Sequence, residues 1–453
     1  MKVHIIGVCG TFMGGVAKIA TELGFEVSGS DANTYPPMST ALESLGIKLF
    51  EGYAKDNIPQ DLGIVVVGNT VSRGNPELEE VLNQGVPYSS GAQWLKENVL
   101  QHKWVLAVAG THGKTTTSSM LAWILEYCGY EPGFLIGGIP ANFAESARLG
   151  NSDFFVIEAD EYDTAFSDKR SKFLHYSPNT VVLNNLEFDH ADIFNSIDDI
   201  KLQFHHLLKI LPQSAQVICK YDEPYLQDVI ALGCWSEQKT FGADAGQDWY
   251  CESKSEDCST FQVTSKVPKL DTVIVEWDLI GNFNMLNGTA AMAAAHHIGI
   301  TPANSAEALS QFKSVKRRLE VIFSSDKVTV YDDFAHHPTA IAATVKALRA
   351  KVGGEQIFAV LEPRSNTMKQ GVHKHLIAES LATADHSFIF ADANVDWNIA
   401  ELSSDTLSTF DSTQLLLDTL LDHQASTGKA SHILIMSNGG FEGLHQRLIT
   451  ALT

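Results

Sequence analysis

Residues 105–121 read VLAVAGTHGKTTTSSML. Five small apolar residues, Val105 to Ala109, run without interruption into a Gly-Thr-His-Gly turn, and Lys114 then opens a row of hydroxyls that leads back into apolar residues. An unbroken apolar run predicts a strand buried on both faces, as in a parallel sheet. The stretch after Lys114 predicts a helix reaching Cys128, where Gly129 ends it. Gly110 and Gly113 let the backbone bend so that successive N–H groups point inward, and the helix adds its free N-terminal N–H groups and the positive end of its dipole. Such a turn cradles phosphates. Lys114 would reach the outer phosphates of a nucleotide, Thr115 would offer a hydroxyl to magnesium, and Gly110, Thr111, His112, Gly113 and Thr116 would complete the contacts. The turn is shorter than G-x-x-x-x-G-K-[ST], because Val108 stands where the first glycine would be. The plainer reading is a glycine-rich strand–helix turn with a surface lysine.

The same unit recurs on either side. Val3–Gly7 reads as a strand, "GVCGTFMGG" (7–15) as a turn, and the residues up to Leu23 as a helix that Gly24 ends, with "FEVSGSD" (25–31) as the next strand. Farther on, "KVTVYDDFAHHP" (327–338) is a strand whose polar end is stopped by Pro338, and "QIFAVLEPRS", "HSFIFAD" and "HILIMSNGG" follow as apolar strands with polar ends. Apolar runs separated by helical patterns indicate parallel sheets. The chain of 453 residues is too long for one core. It therefore reads as three α/β domains: a Rossmann-like domain at 1–100, a central P-loop ATPase-type parallel-sheet domain at 101–312, and a doubly wound Rossmann-like domain at 313–453.

The net charge is −22. That argues against nucleic acid or an anionic membrane as the main partner, while leaving room for a small anionic ligand in a locally basic pocket. The six cysteines form no C-x-x-C pair and read as reduced thiols. The N-terminus reads as a first strand and not a signal peptide, and no apolar run approaches the ~18 residues of a membrane span. The expectation is a cytoplasmic protein, monomeric or weakly dimeric.

A parallel sheet delivers the residues after every strand to one edge, where ligands bind. "DFFVIEADEYD" brings Glu158 there and "TVVLNNLEFDH" brings His190, so both would join Lys114 and Thr115. Thr115, Glu158 and His190 make a magnesium shell. Taken alone, Glu158 reads as a capping acid and His190 as a core or surface histidine. Asn284 and Asn287 lie one turn apart in "GNFNMLNGTAAMAAA" and could read an adenine edge, or cap a helix. The first turn departs from G-x-G-x-x-G but suits a pyrophosphate at a helix N-terminus, through Gly10, Thr11, Phe12, Met13 and Gly14. Ser30 and Asp31 end the next strand, where an acid bonds a ribose hydroxyl, and Asn69 and Thr70 end the third. In the last domain Arg318, Asp333 and His336 could face phosphates, while Arg364, Asn366 and Lys369 suit a zwitterionic ligand.

Together "GTHGKTTT", "EADEYD", "NNLEFDH", "GNFNMLN" and "YDDFAHHP", in this order, resemble the Mur ligases of bacterial cell-wall synthesis over nearly the whole chain. The resemblance implies UDP-N-acetylmuramic acid in the first domain, ATP and magnesium in the second, and an incoming amine near the third. It also implies that the loop around Lys114 holds ATP phosphates, that Glu158 and His190 hold the metal, and that Asn284, Asn287, Arg318, Asp333 and His336 surround the nucleotide. Within the family, "GVCGTFMGG", "GSDANTYPPMST", "EPRSNTMK" and "MSNGGF" are similar to the branch that joins UDP-N-acetylmuramic acid to a murein tripeptide in cell-wall recycling. The branch that adds L-alanine is the alternative, and a P-loop NTPase or kinase is the alternative of another class.

Overall fold

The computed structural model describes residues 1–453 apart from Pro36 and Pro37, so that part of the segment 29–40 lies outside the described residues. The strand read from the quoted stretch is Trp104–Ala109, inside a ten-stranded sheet. Val105, Ala107 and Ala109 enter one apolar core, and Leu106 and Val108 the opposite one. Successive side chains of a strand point to opposite faces, and here both faces are covered, so the run carries no polar residue. Its parallel neighbours are Thr180–Leu183 and Phe154–Ala159. The chain reaches these two on opposite sides of Trp104–Ala109, which makes the end of that strand a point where the sheet order reverses.

The helix Lys114–Tyr127 buries Thr115, Thr116, Thr117, Ser118 and Ser119. Buried hydroxyls need partners. Ser118 donates to the Lys114 carbonyl (2.7 Å) and Ser119 to the Thr115 carbonyl (2.6 Å), while Thr117 accepts from Asn184 (2.9 Å). The alanine-rich helix Asn282–His297 packs beside it, with Ala290 to Ala295 buried.

The first sheet is all parallel, in the order Lys48–Glu51, Glu26–Asp31, Lys2–Ile6, Ile64–Val67, Tyr88–Ser90. The third runs Glu320–Ser324, Val328–Asp333, Ser431–Met436, Gln356–Leu361, His386–Phe390, Leu407–Phe410, with the first strand antiparallel. Helices cover both faces, as expected for doubly wound units.

Both edges of the middle sheet depart from the all-parallel expectation: at one, Ala147–Arg148 runs antiparallel to Gly133–Leu135. At the other, Trp249–Ser253, Thr260–Ser265 and Asp271–Glu276 form an antiparallel meander. One face of these strands is apolar: Trp249, Cys251, Phe261, Val263 and Val275 are buried in the same core as the alanine-rich helix. The other face is open to water, and this alternation is what an antiparallel edge permits.

The first sheet docks on the middle one through the helix Thr11–Glu22. A Cβ on Gly15 would lie 2.9 Å from Leu135 Cδ1 and 3.1 Å from Ala147 Cβ, so only glycine permits this approach. The third sheet docks through polar contacts. Thr367 donates to Asp189 (2.7 Å), Asn366 to Asp192 (2.9 Å), and His337 Nδ1 lies 3.2 Å from Glu187.

Gly15→Val is expected to destabilise the protein by about 1–3 kcal/mol through overpacking, read as a lower Tm with secondary structure retained. Acid should act on the other junction. Burial depresses His336 from 6.5 to about 4 and also depresses His337. A histidine held neutral in the fold takes up a proton on unfolding, so this stability is complete above pH 6.5 and is lost as pH falls towards 4. Tm should therefore drop across that window, and the drop should be shallower in the double variant His336→Asn, His337→Asn.

Candidate active site

Ala109 ends its strand and Gly110 turns the chain at φ +142°, with Gly113 at φ +81° heading the helix Lys114–Tyr127. Neither site accommodates a side chain easily. A Cβ on Gly113 would meet Asn287 Oδ1 at 2.6 Å, and one on Gly110 would meet Asn184 and Asn185 at 3.1 Å. The turn is clamped by the residues after the neighbouring strand. His112 N donates to Asn185 Oδ1 (2.7 Å), Asn185 Nδ2 donates to the His112 carbonyl (3.1 Å), and Glu187 N donates to Thr111 Oγ1 (2.9 Å).

Lys114 is buried, and its ammonium donates to the Gly110 carbonyl (2.7 Å) and to Glu161 (3.1 Å), with Asp160 at 3.6 Å. Burial alone would lower its pKa, but Glu161, Asp160 and Glu158 outweigh that and hold it above the ordinary lysine value. Glu161 is the hub. Its other oxygen lies 3.1 Å from His190 Nε2, and although burial opposes its ionisation, Lys114 and His190 draw it down to about 2. His190 sits at φ +57°, an uncommon conformation for a residue with a Cβ, and its ring lies tilted against that of Tyr162, centroids 4.2 Å apart.

Thr115 donates to Glu158 Oε1 (3.0 Å), while Glu158 Oε2 accepts from Gly137 N (2.7 Å). Burial, and next Asp160, push the Glu158 carboxyl up from the usual range. Such a group favours a proton or a cation. From the third sheet, Arg318 reaches across to donate to Thr115 Oγ1 (3.2 Å), and its guanidinium covers the Phe334 ring. Asp333 accepts from the backbone N–H groups of Leu319 and Ala335 (2.7 Å each), so it shapes the turn that carries Arg318.

The structure brings Lys114, Thr115, Glu158, His190, Asn287 and Arg318 to one sheet edge. Other expected site residues stand apart from it or are occupied. Asn284 Nδ2 donates to the Ile280 carbonyl one turn back (2.8 Å). His336 lies 3.9 Å from Asp189. Asn366 spends its amide on Asp192, so it takes part in the docking contact. Arg364 is half exposed, 3.6 Å from Glu362, and Lys369 ends the short helix Asn366–Lys369.

In the first sheet, Gly10 caps the helix Thr11–Glu22 with no side-chain bond, leaving N-terminal N–H groups free, and Asp31 accepts from Cys9 N (2.9 Å) and Asn33 N (3.0 Å). Thr11 is exposed and Phe12 half-buried at that end, whereas Met13 and Gly14 are buried beneath the turn. Asn69 and Thr70 lie at the end of the neighbouring strand. Ser30 departs from the ligand-facing expectation. It is fully buried and its hydroxyl donates to Glu77, which belongs to a core network with His4.

Glu161, Asn184, Asn185, Glu187 and Asp189 are site residues that the motifs alone do not single out. The sequence signal for them is their place: Glu161 follows the mostly apolar strand Phe154–Ala159, and the other four follow Thr180–Leu183, at the same sheet edge as Glu158 and His190. What the arrangement can hold is a polyanion, bound by a ring of N–H groups and one ammonium, beside an oxygen pair suited to a hard cation.

The chain matches the Mur ligase middle domain over residues 108–295, the Mur ligase family catalytic domain over 2–103, and the Mur ligase glutamate ligase domain over 317–439. It is 52% identical, over 100% of its length and 98% of the relative's, to the UDP-N-acetylmuramate–L-alanyl-gamma-D-glutamyl-meso-2,6-diaminoheptandioate ligase of Escherichia coli. The ligase of the same name from Haemophilus influenzae is 49% identical over 99% of both chains. The crystal structure of a murein peptide ligase from Psychrobacter arcticus superposes with a TM-score of 0.76 at 43% identity, covering 100% of this chain and 98% of that one. A UDP-N-acetylmuramate-alanine ligase from Thermotoga maritima, 22% identical, shares the fold with a TM-score of 0.81. With all three domains matched in order and this identity over its whole length, the chain belongs to the Mur ligase family and is a ligase that forms amide bonds.

Proposed function

We propose that this chain joins UDP-N-acetylmuramic acid to L-alanyl-γ-D-glutamyl-meso-diaminopimelate at the expense of ATP, in the recycling of murein. The observation that carries the reading is the reach of Arg318 to Thr115: an element of the third sheet enters the phosphate turn of the second, while the free helix N-terminus of the first packs against the same middle sheet. A nucleotide switch or a simple kinase needs no such convergence of three units. The roles divide accordingly, with the sugar nucleotide on residues 1–100, ATP on 101–312, and the amine on 313–453.

The amides of Gly113, Lys114 and Thr115 and the Lys114 ammonium hold the ATP phosphates, while the Thr111 and His112 amides, taken by Asn185, fix the shape of the turn, and Thr116 and Asn287 lie at the turn's flank. Thr115, Glu158 and His190 would hold magnesium. The fit is good where Thr115 and Glu158 present adjacent oxygens and Glu158 resists standing as an unpaired anion; His190 must release Glu161 and be neutral to join them. The metal would supply positive charge at the phosphoryl oxygens. The lactyl carboxylate attacks the γ-phosphorus, ADP leaves, and an acyl phosphate forms. The amine of the tripeptide then attacks the acyl carbon and phosphate departs from the tetrahedral intermediate. Lys114, fixed by Glu161, stabilises charge spreading over the transferred phosphoryl group, so its work is positioning and electrostatics. An acyl phosphate hydrolyses in open water, and closure of the third sheet over the turn by Arg318 and His336 would exclude it.

Lys114→Ala should lower kcat by roughly 10²–10³-fold or more with an unchanged circular dichroism spectrum; near-normal ligation would defeat the assignment. Ligation of UDP-N-acetylmuramic acid to the tripeptide, measured beside ligation to L-alanine, should favour the tripeptide. Preference for L-alanine would move the chain to the other branch.

A further inference from the structure

Among the described residues two lysines are buried, Lys114 and Lys172. The first is paired with carboxylates. The second makes no ion pair among the described residues. Its ammonium lies instead over two aromatic faces, 4.9 Å from the centre of Phe12 and 5.5 Å from that of Tyr162. Burial pulls the Lys172 pKa down, against the more distant pull of Asp160, Asp163, Glu158 and Glu161. An ammonium held by rings alone keeps its hydrogen-bond donors unspent on the protein, so an anion entering beside it finds them available.

Its position is set from both sides. The Lys172 N–H donates to the Tyr162 carbonyl (2.9 Å), and Ser171 Oγ donates to the Glu161 carbonyl (2.7 Å), so Lys172 is tied to the segment that holds Lys114 and His190. Phe12 belongs to the first turn of Thr11–Glu22, the helix whose N-terminus suits a pyrophosphate. The ammonium therefore stands between the sugar-nucleotide end of the first sheet and the phosphate turn of the second. On the ligase reading, the pyrophosphate has helix amides and the ATP phosphates have Lys114. The lactyl carboxylate must lie between them to attack, and Lys172 is the cation standing there that no carboxylate of the described residues already pairs.

Resting on that reading, we propose that Lys172 binds the lactyl carboxylate of UDP-N-acetylmuramic acid between Phe12 and Tyr162, and so sets selectivity for muramic acid over the sugar that lacks this arm. UDP-N-acetylglucosamine is the natural control, since it has the same nucleotide and ring without the lactyl group. Calorimetry on the full chain without ATP should show UDP-N-acetylmuramic acid binding roughly tenfold or more tighter than UDP-N-acetylglucosamine. Lys172→Met should abolish that difference while leaving UDP-N-acetylglucosamine affinity unchanged. In ligation, KM for the muramyl substrate should rise roughly tenfold, with KM for ATP and for the tripeptide unmoved, and Lys172→Arg should restore part of the loss. A Lys172→Met protein that keeps the preference, or that loses both sugar nucleotides equally with a lower Tm, would overturn the proposal. A wild-type chain that binds muramyl nucleotide selectively but ligates no peptide would overturn the ligase reading instead.

Discussion

A lysine ammonium buried beside a strand end is unstable unless carboxylates share its burial, and the Lys114–Glu161 pair meets that condition here. Glu161 is almost fully buried and holds Lys114 with one oxygen and His190 with the other. Removing either partner would leave an uncompensated charge in a medium that solvates it poorly. Asn184 and Asn185 bind the helix and the turn from a second strand end, and Glu158 binds Thr115 from the strand between Lys114 and the sheet edge. The geometry of the turn thus depends on three parallel strands arriving together.

That dependence explains how the three sheets come to act on one place. The middle sheet supplies the turn and the acids. The first reaches it by apolar contact, with Gly15 against Leu135 and Ala147. The third reaches it by polar contact, with Thr367 on Asp189 and Arg318 on Thr115. Apolar docking is indifferent to modest changes of pH, whereas docking through buried neutral histidines and carboxylates is not. A close-packed junction on one side and a hydrogen-bonded junction on the other suit a chain in which one unit stays fixed and another opens and closes over its substrates.

The local elements were legible because their signals are local. The apolar run at 104–109, the paired glycines, and the helix ended at Gly129 require only the strand–turn–helix rules. Lys114, Thr115, Glu158 and His190 could be gathered from the same rules, since parallel strands release their following residues at one edge. The meander at 249–276 was less legible because half-buried antiparallel strands alternate polar and apolar residues, as loops and surface helices also do. Ser30 read as a ligand residue because its position at a strand end is correct; its rotamer, which turns the hydroxyl into the core towards Glu77, has no sequence signature. Asn366 shows a related limit. A polar side chain at a strand end meets either a ligand or another sheet, and only the docking of the sheets shows that Asp192 takes it.

By itself the sequence determined the three α/β units, the strand–glycine–helix turn at their centre, and the residue types able to bind a polyanion and a hard cation, because periodicity and backbone freedom are written residue by residue. The tertiary structure decided that Glu161 is the hub of the site, that Arg318 crosses between sheets to Thr115, and that Lys172 is buried between Phe12 and Tyr162 without a carboxylate. Those facts depend on desolvation and on distances between residues far apart in the chain, and neither quantity exists until the sheets have packed.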